Sequence, residues 1–424
     1  MSMSFNWLEE RLGRAARAFR GGNIHNALSQ LSTCYKVNPK GTEASDIYKE
    51  VIGHYDGLRG EVPSAIGFES ISEFRAFSSD EAGAFADFSG DATIVFDDKD
   101  QFGRRRDIVV AKVADGAMLD DGTVLSSKGF IVHESMPRAL QSPIVDGQMM
   151  LIANGIKSKI QARAPAGVVF RGSLAANYFH FLTETVAAKQ FIDDNIPFAS
   201  PFPVYRRSDA REPRYVGSYL SLVGGAETRE STDGLYRYQH IYVCNLSWKQ
   251  IGHYPSRYNE AYDRLYEKGV ASVPATFVPP RRIYLSRVGY SRGIVDEAEV
   301  FDEFLKSAGF SVVDPAKLTV GEQMKSFREA EVIIGPHGAA FTNLVYCGPN
   351  AKALEIIPPN RSCPSSFTQI ARGRGIDSYL AYPRLARHGG AEQFKFADRN
   401  DFVQWADKFI RGAVEKGVTL LDRS

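Results

Sequence analysis

The chain has 424 residues, of which 44% are hydrophobic and 24% charged, and its formal net charge at pH 7 is +1. This length exceeds what one ordinary hydrophobic core accommodates, so two or more domains are expected. The near-neutral charge argues against nucleic acid as a partner, and because no window approaches the roughly 20 apolar residues of a membrane span, any membrane contact is expected to be peripheral.

Residues 1–60 are predicted to form an N-terminal helical appendage. Apolar side chains recur at helical spacing over residues 7–19 and 24–37, and Asn38-Pro39 ends the pattern. We interpret the segment as helices docked on the main body. The alternative is a single tetratricopeptide-like helical pair that binds a partner or a second copy of the chain.

The cysteine pattern and the N-terminal sequence both bear on the cellular location of the protein. The four cysteines show no CxxC spacing, and the N-terminus has no basic stretch followed by an apolar one. Such cysteine usage is typical of a reducing environment, and the N-terminal pattern indicates no secretory signal. We therefore expect a cytoplasmic protein, or one at the inner face of the membrane.

Residues 61–275 are predicted to form a first α/β domain that opens with β-rich hairpins. Strand-like runs occupy residues 92–96, 107–113 and 129–133, with Asp-Asp and Asp-Gly turns between them. The acidic cluster at 97–100 is superficially similar to a DxD metal-binding motif. Because Asp is a standard turn former, we interpret it as a solvated turn, and no Cys/His cluster has zinc-ligand spacing.

A helix predicted over residues 178–192 carries the first candidate catalytic pair. His180 and Glu184 are four residues apart, so they share one face of this helix. A carboxylate placed in this way orients an imidazole ring and raises its basicity. Taken alone, a buried histidine satisfied by a helix neighbour is the more ordinary interpretation of such a pair.

Residues 276–395 are predicted to form a second domain with a parallel sheet, after a proline-rich linker at 271–280. Strands at 282–286, 310–313, 331–334 and 351–357 alternate with helices at 296–308 and 319–330, the latter opened by a Thr319–Glu322 capping box. This alternation is typical of a doubly wound parallel sheet. Residues 396–424 contain a predicted C-terminal helix.

The third of these strands runs into a glycine-rich turn at 335–338, followed by small and apolar residues up to 346. A strand, a tight turn and a helix start present backbone N–H groups to an anion. Arg287 and Arg292 follow the first strand, at the same expected edge of the sheet. Because arginine suits bidentate phosphate contact, we predict the diphosphate site of a nucleotide-sugar here.

Three sequence blocks resemble the motifs of glycosyltransferase family 61, in the manner of a bacterial member. They are NYFHFLTE at 177–184, YLSR at 284–287 with Arg292 and Glu297, and IGPHGAAFTN at 334–343. The order and spacing of the blocks match as well, and the resemblance covers residues 165–360. Phe181 and Phe341 depart from the family pattern, as apolar replacements for Trp and for an aliphatic residue.

The resemblance implies an α/β, GT-B-like fold, with two Rossmann-like domains facing a cleft, the helical appendage before them and the C-terminal helix after them. It also implies an inverting reaction with a UDP-linked donor and no required metal or other cofactor. Arg287 and Arg292 would hold the diphosphate, and Glu355 would lie near the base or ribose. The residues implied to line the nucleotide turn are Gly335, His337, Gly338, Ala339, Ala340, Thr342 and Asn343.

The sequence therefore predicts a hexosyl-, pentosyl- or N-acetylhexosaminyl-transferase of surface or capsular polysaccharide synthesis. Its partners would be a nucleotide-sugar and a glycan or lipid-linked glycan acceptor. His180, supported by Glu184, is the predicted general base; His337 is the competing one, with turn formation as its other role. The alternatives are a polysaccharide pyruvyltransferase-like enzyme that uses phosphoenolpyruvate, and a catalytically silent carbohydrate-binding or scaffold protein.

Overall fold

A computed structural model describes part of the chain, and the account below concerns that part. The described residues are 13–14, 17, 68–69, 85–88, 91–96, 108–118, 124–125, 131–132, 135, 160–168, 177–195, 203–206, 213–224, 227–230, 235–244, 257–290, 293–300, 304–358, 365–387 and 393–411. The predicted appendage at 1–60 lies outside these ranges except for Gly13, Arg14 and Arg17, which are helical. Arg292 and the acidic cluster at 97–100 also lie outside them.

The first half of the described chain is built on a mixed sheet. Its strands are β1 (Phe68–Glu69), β2 (Phe85–Phe88), β3 (Asp91–Phe96), β4 (Ile108–Ala114), β5 (Ala117–Met118), β6 (Val124–Leu125), β7 (Ile131–Val132), β8 (Ile160–Val168) and β11 (Leu235–Cys244). Strands β9 (Pro203–Arg206) and β10 (Glu227–Glu230) form a separate parallel pair. Strand β11 is antiparallel to β4 and β5 and parallel to β8. Strands β3 and β4 coincide with the predicted strands at 92–96 and 107–113, and they pair antiparallel.

The family resemblance implies a Rossmann-like fold for residues 61–275 as well, and this mixed sheet differs from such a fold. Strands β2 to β4, and again β5 to β7, follow one another through short connections and form antiparallel neighbours, whereas a parallel pair needs a long crossover. The α/β class is confirmed, but the two-domain GT-B arrangement is not.

The second half is built on the predicted parallel sheet. Its five strands are β12 (Arg282–Leu285), β13 (Ser311–Val313), β14 (Val332–Pro336), β15 (Lys352–Ile356) and β16 (Asp377–Ala381). All neighbouring pairs are parallel, in the order β13-β12-β14-β15-β16. In this doubly wound order a ligand crevice opens at the carboxyl ends of the first and third strands, here β12 and β14. A short antiparallel pair follows, β17 (Leu385–Arg387) and β18 (Phe394–Phe396).

The described helices agree in part with the predicted ones. The α-helices are Tyr178–His180, Ala187–Asn195, Arg214–Leu222, Tyr258–Val270, Glu297–Val300, Val320–Glu329, Ser365–Gly373 and Arg399–Ile410, with a π-helix at Phe181–Val186 and 3₁₀ helices at Pro315–Lys317 and Ala339–Tyr346. Thr319 and Glu322 form the predicted capping box. Of the predicted helix at 296–308, the structure describes a first turn at Glu297–Val300 and a final stretch from residue 304. Gly309, with φ +80°, ends that stretch. None of the helices in the described ranges has the length and hydropathy needed to cross a bilayer.

Successive residues of the parallel strands pack into two hydrophobic layers, as the pleat requires. Ile283, Leu285 and Ile333 join one layer, which contains apolar residues of the helices at 178–195, 258–270 and 320–329. Tyr284 and Ile334 join the other, with the helix Arg399–Ile410. The first layer contains residues from both sides of the helix-free segment 271–280. The helix that carries His180 therefore packs in the same core as the parallel sheet.

Candidate active site

The crevice between β12 and β14 depends on a close approach of the two strands. A Cβ added to Gly335 would lie 2.7 Å from Cβ and 2.9 Å from the carbonyl oxygen of Leu285. Only glycine permits this contact without a shift of the backbone. The structure thus gives Gly335, which the resemblance places in the nucleotide turn, a packing role between neighbouring strands.

Arg287 lies directly against the predicted turn. A Cβ added to Gly338 would collide with Nη1 of Arg287 and would lie 2.7 Å from Cζ and 3.0 Å from Cδ. The predicted juxtaposition of arginine and glycine turn is therefore confirmed. The guanidinium also lies near the ring of Tyr290, with 5.9 Å from Cζ to the ring centroid.

Glu297 holds the backbone around Arg287 in place. Its carboxylate accepts hydrogen bonds from the hydroxyl of Ser286, from the hydroxyl of Tyr284 at 3.3 Å, and from the backbone N–H of Arg287 at 3.5 Å. Burial raises the pKa of Glu297, while the hydrogen bond from Ser286 acts in the opposite direction. The sequence motif included Glu297 without a role; the structure makes it the anchor of the Arg287 loop.

The segment after the turn is a 3₁₀ helix, Ala339–Tyr346. Phe341 N donates to Gly338 O at 3.0 Å, the i→i+3 bond of that tighter helix. Ala339 and Ala340 are half-buried at its start. The Thr342 hydroxyl is buried and has no hydrogen-bond partner among the described residues.

Asn343 has a structural role that the sequence does not reveal. Its side-chain Nδ2 donates to Ala340 O at 3.2 Å and to Gln323 Oε1 at 3.3 Å, and its Oδ1 accepts from the hydroxyl of Tyr178 at 2.6 Å. The residue is fully buried. Because both amide hydrogens have acceptors within the protein, the side chain supports the turn, and the nucleotide contact that the resemblance implies stays a prediction.

His337 and Glu355 form a buried pair at the end of β14. Nδ1 of His337 donates to Oε1 of Glu355, and the backbone N–H of His337 donates to Ile356 O at 2.8 Å. The side chains are 8% and 5% exposed. In the structure Glu355 is a neighbour of His337, because the parallel register brings the two strand ends together. That Glu355 lies near the base or ribose stays a prediction from the resemblance.

His180 and Glu184 form the predicted pair on the facing helix. Their Nδ1 and Oε1 atoms are 2.7 Å apart, and the side chains are 16% and 4% exposed. With Nδ1–H donated to the carboxylate, the Nε2 atom carries the lone pair that accepts a proton. Among the described residues no protein group bonds to Nε2 of His180. This arrangement suits a general base.

The local sequence explains where this helix begins and how it changes pitch. Asn177 caps it, since its Oδ1 accepts from Phe179 N at 3.1 Å and from His180 N at 3.5 Å. Residues 181–186 then form a π-helix, and the hydroxyl of Thr183 donates to Phe179 O at 2.7 Å. Short π segments occur frequently at functional sites; helical periodicity alone does not predict one.

Two sets of contacts join the His180 helix to the turn. Tyr178 bonds Asn343, and the ring of Phe367 lies 5.6 Å from that of Phe179 and 5.4 Å from that of His337. Tyr178 lies in one of the sequence motifs, which does not indicate its role, and no sequence signal indicates Phe367. Phe367 therefore contacts both the helix that carries His180 and the strand end that carries His337. In the described ranges no three His, Cys, Asp or Glu residues form a group suited to a metal ion.

Comparison with known proteins shows similarity to glycosyltransferases. Residues 178–354 match the family model described as Glycosyltransferase 61, a range that includes His180, Arg287 and the turn. A curated relative, a beta-1,2-xylosyltransferase from Arabidopsis thaliana, is 31% identical over 101 residues, or 21% of this chain. The match spans 19% of that relative's own length.

Two solved structures were also aligned, both mutants of a flavo di-iron protein from Thermotoga maritima. The alignments cover 88% and 89% of this chain and 78% of each of theirs, at 9% and 10% identity. With a TM-score of 0.22 in both cases, this likeness carries no argument. The two sequence comparisons, by contrast, show similarity to glycosyltransferases, and the match to the Glycosyltransferase 61 model lies within residues 178–354.

Proposed function

We propose that this chain is an inverting glycosyltransferase that moves a sugar from a UDP-linked donor to a hydroxyl group of a glycan acceptor. The observation that carries the proposal is the contact of Arg287 with Gly338 at the carboxyl ends of β12 and β14. A cation lies there beside a glycine turn, at the crevice where this sheet order binds ligands. The similarity of residues 178–354 to glycosyltransferase 61 supports the same conclusion.

The donor half follows from the charge at this crevice. The Arg287 guanidinium and the backbone N–H groups of the turn would bind the diphosphate and stabilise the negative charge that develops as it leaves. Arg292 would add a second cation. Glu297 acts indirectly, because it fixes the backbone from which Arg287 extends.

The acceptor half follows from the His180–Glu184 pair. Nε2 of His180 would take the proton of the acceptor hydroxyl while that oxygen attacks the anomeric carbon from the face opposite the leaving group. The bond between the anomeric carbon and the phosphate oxygen breaks, and the nucleoside diphosphate leaves with the electron pair. Glu184, 2.7 Å from Nδ1, would stabilise the imidazolium that forms.

We extend the proposal to the setting of the reaction. The family resemblance implies a GT-B-like division into residues 61–275 and 276–395, and a reaction that requires no cofactor. It also implies a glycan or lipid-linked glycan acceptor, in bacterial surface or capsular polysaccharide synthesis. Peripheral attachment at the inner face of the membrane would bring a lipid-linked acceptor to the cleft. The helical segment 1–60 would serve as the contact to a partner or a second copy.

The proposal is tested by ligand binding to the full chain. Thermal shift and calorimetry would be measured with UDP, GDP, UDP-sugars and phosphoenolpyruvate, because ligand bound to the native state raises its melting temperature. We expect UDP and a UDP-sugar to bind and phosphoenolpyruvate not to. Selective binding of phosphoenolpyruvate would favour the pyruvyltransferase-like alternative instead. UDP-sugar turnover would rule out a silent carbohydrate-binding protein.

The Arg287→Ala variant examines the carrying observation. A charged hydrogen bond is worth about 1.5–3 kcal/mol, so we expect the dissociation constant of UDP to rise roughly tenfold or more. Arg281→Ala is the matched control, because Arg281 is largely exposed and pairs with Glu331. Equal effects of the two variants would contradict a phosphate-binding role for Arg287.

A further inference from the structure

We infer that Tyr178 is a positioning residue, which holds the His180–Glu184 pair in register with the Gly338 turn. The inference rests on the proposed function. Its structural basis is independent of the phosphate site, since it concerns a chain of buried hydroxyl groups that joins the helix of His180 to the 3₁₀ helix after the turn. Neither the family match nor the sequence motifs assign Tyr178 a role.

The chain of hydroxyl groups has a defined direction. Oδ1 of Asn343 is an acceptor only, so the Tyr178 hydroxyl donates to it, at 2.6 Å. The Tyr219 hydroxyl, 2.8 Å from that of Tyr178, must then donate to Tyr178, and the Tyr346 hydroxyl donates to Tyr219 at 3.0 Å. Each hydroxyl thus gives its proton to the next, and the series ends on Asn343.

Both ends of the Tyr178–Asn343 bond are held firmly. Asn343 is fixed by its two bonds to Ala340 O and Gln323. The ring of Tyr178 packs edge-on against that of Tyr215, with centroids 4.9 Å apart. Burial raises the pKa of Tyr178 and of Tyr219 well above the ordinary value, so both stay protonated as donors. A shift of the helix relative to the turn would leave buried polar groups unpaired.

The position of this bond gives it consequences for the reaction. Tyr178 lies two residues before His180, in the same helix, and Asn343 lies five residues after Gly338. The bond therefore connects the proposed base to the turn that supports Arg287. Because a misplacement of about 1 Å can cost a hundredfold in rate, loss of the bond should reduce turnover more than donor binding.

The experiment compares Tyr178→Phe with Tyr346→Phe. Each variant removes one hydroxyl from the same buried chain and keeps its ring, so both lose buried hydrogen bonding. Only Tyr178→Phe removes the bond to Asn343. We expect kcat to fall about tenfold or more in Tyr178→Phe with the dissociation constant of UDP within about twofold of wild type, and kcat to stay within about threefold in Tyr346→Phe.

The outcomes separate the inference from the function on which it rests. Wild-type protein that neither binds UDP nor turns over a UDP-sugar would overturn both. An active wild type with an equally active Tyr178→Phe variant would overturn the inference alone. Equal losses of kcat in the two variants would show a purely structural role, and circular dichroism on both establishes that each is folded.

Discussion

The guanidinium group of Arg287 occupies the space that any side chain at position 338 would need. Nη1, Cζ and Cδ of Arg287 all lie within 3.0 Å of where a Cβ on Gly338 would be. Gly338 has φ −179°, an extended conformation that any residue adopts, so its importance here is the space it leaves and not its backbone angle. Arg287 and Gly338 therefore form one unit of the proposed donor site.

Gly338→Ala should weaken donor binding without removing a charge. The added methyl group would push Arg287 away from the turn, and loss of its charged hydrogen bonds is worth about 1.5–3 kcal/mol. We expect the dissociation constant of UDP, measured by calorimetry, to rise roughly tenfold or more.

Gly348→Ala is the matched control for that variant. The nearest atom to a Cβ on Gly348 is Arg328 O, at 3.8 Å, which is ordinary contact. UDP affinity should stay at the wild-type value. A Gly338→Ala variant that binds UDP as tightly as this control would show that the position of Arg287 does not matter for the donor.

The local parts of the fold could be predicted from the sequence. The strands β12, β14 and β15 are short, mostly apolar runs between turn signals, and the Thr319–Glu322 box marks a helix start, so each is specified by its own few residues. The His180–Glu184 contact follows from the four-residue spacing.

The long-range parts could not be predicted. Tyr178 and Asn343 are 165 residues apart, and no periodicity links a tyrosine in one motif to an asparagine in another. The same holds for Phe367, whose ring lies between those of Phe179 and His337. The partner of His337 depended on the register of β14 and β15, which the sequence left open. For the same reason the sequence predicts Asn343 and Glu355 as ligand contacts without revealing their buried hydrogen-bond partners.

His180→Ala should abolish transfer while UDP binding stays near normal. A general base contributes about 10²–10⁴-fold to a rate, and among the described residues no hydrogen bond or ion pair joins His180 to Arg287 or the turn. Initial rates and UDP titrations on the same preparation separate the two effects. Loss of UDP binding in His180→Ala would contradict the assignment, and so would a His337→Ala variant that loses transfer but keeps its stability and its UDP affinity.

Glu355→Ala should lower stability through His337. The substitution leaves the Nδ1–H of a side chain that is only 8% exposed without its acceptor, and an unsatisfied buried donor costs about 1–3 kcal/mol. The free energy of unfolding in urea measures the loss. Glu260→Ala is the control, because Glu260 is 83% exposed and 3.9 Å from Arg264, a surface pair worth roughly 0–1 kcal/mol. Equal losses in the two variants would exclude a structural role for the Glu355–His337 pair.

Glu297 should make stability depend on pH in the direction opposite to that of an ordinary ion-paired glutamate. Burial raises its pKa in the folded state, so the stability that its protonation contributes is present below the unfolded pKa of about 4.3 and is lost as pH rises through the folded pKa. Glu331 is the counterpart: its hydrogen bond from Arg281 lowers its pKa, so its contribution is lost as pH falls. The free energy of unfolding is measured against pH for wild type and two variants. As pH rises, we expect wild type to lose stability relative to Glu297→Gln and to gain stability relative to Glu331→Gln.

Comparing the two trends removes any constant change in hydrogen bonding that glutamine introduces, since glutamine does not titrate. Parallel trends in the two pairs would mean that burial does not raise the pKa of Glu297 in the folded state.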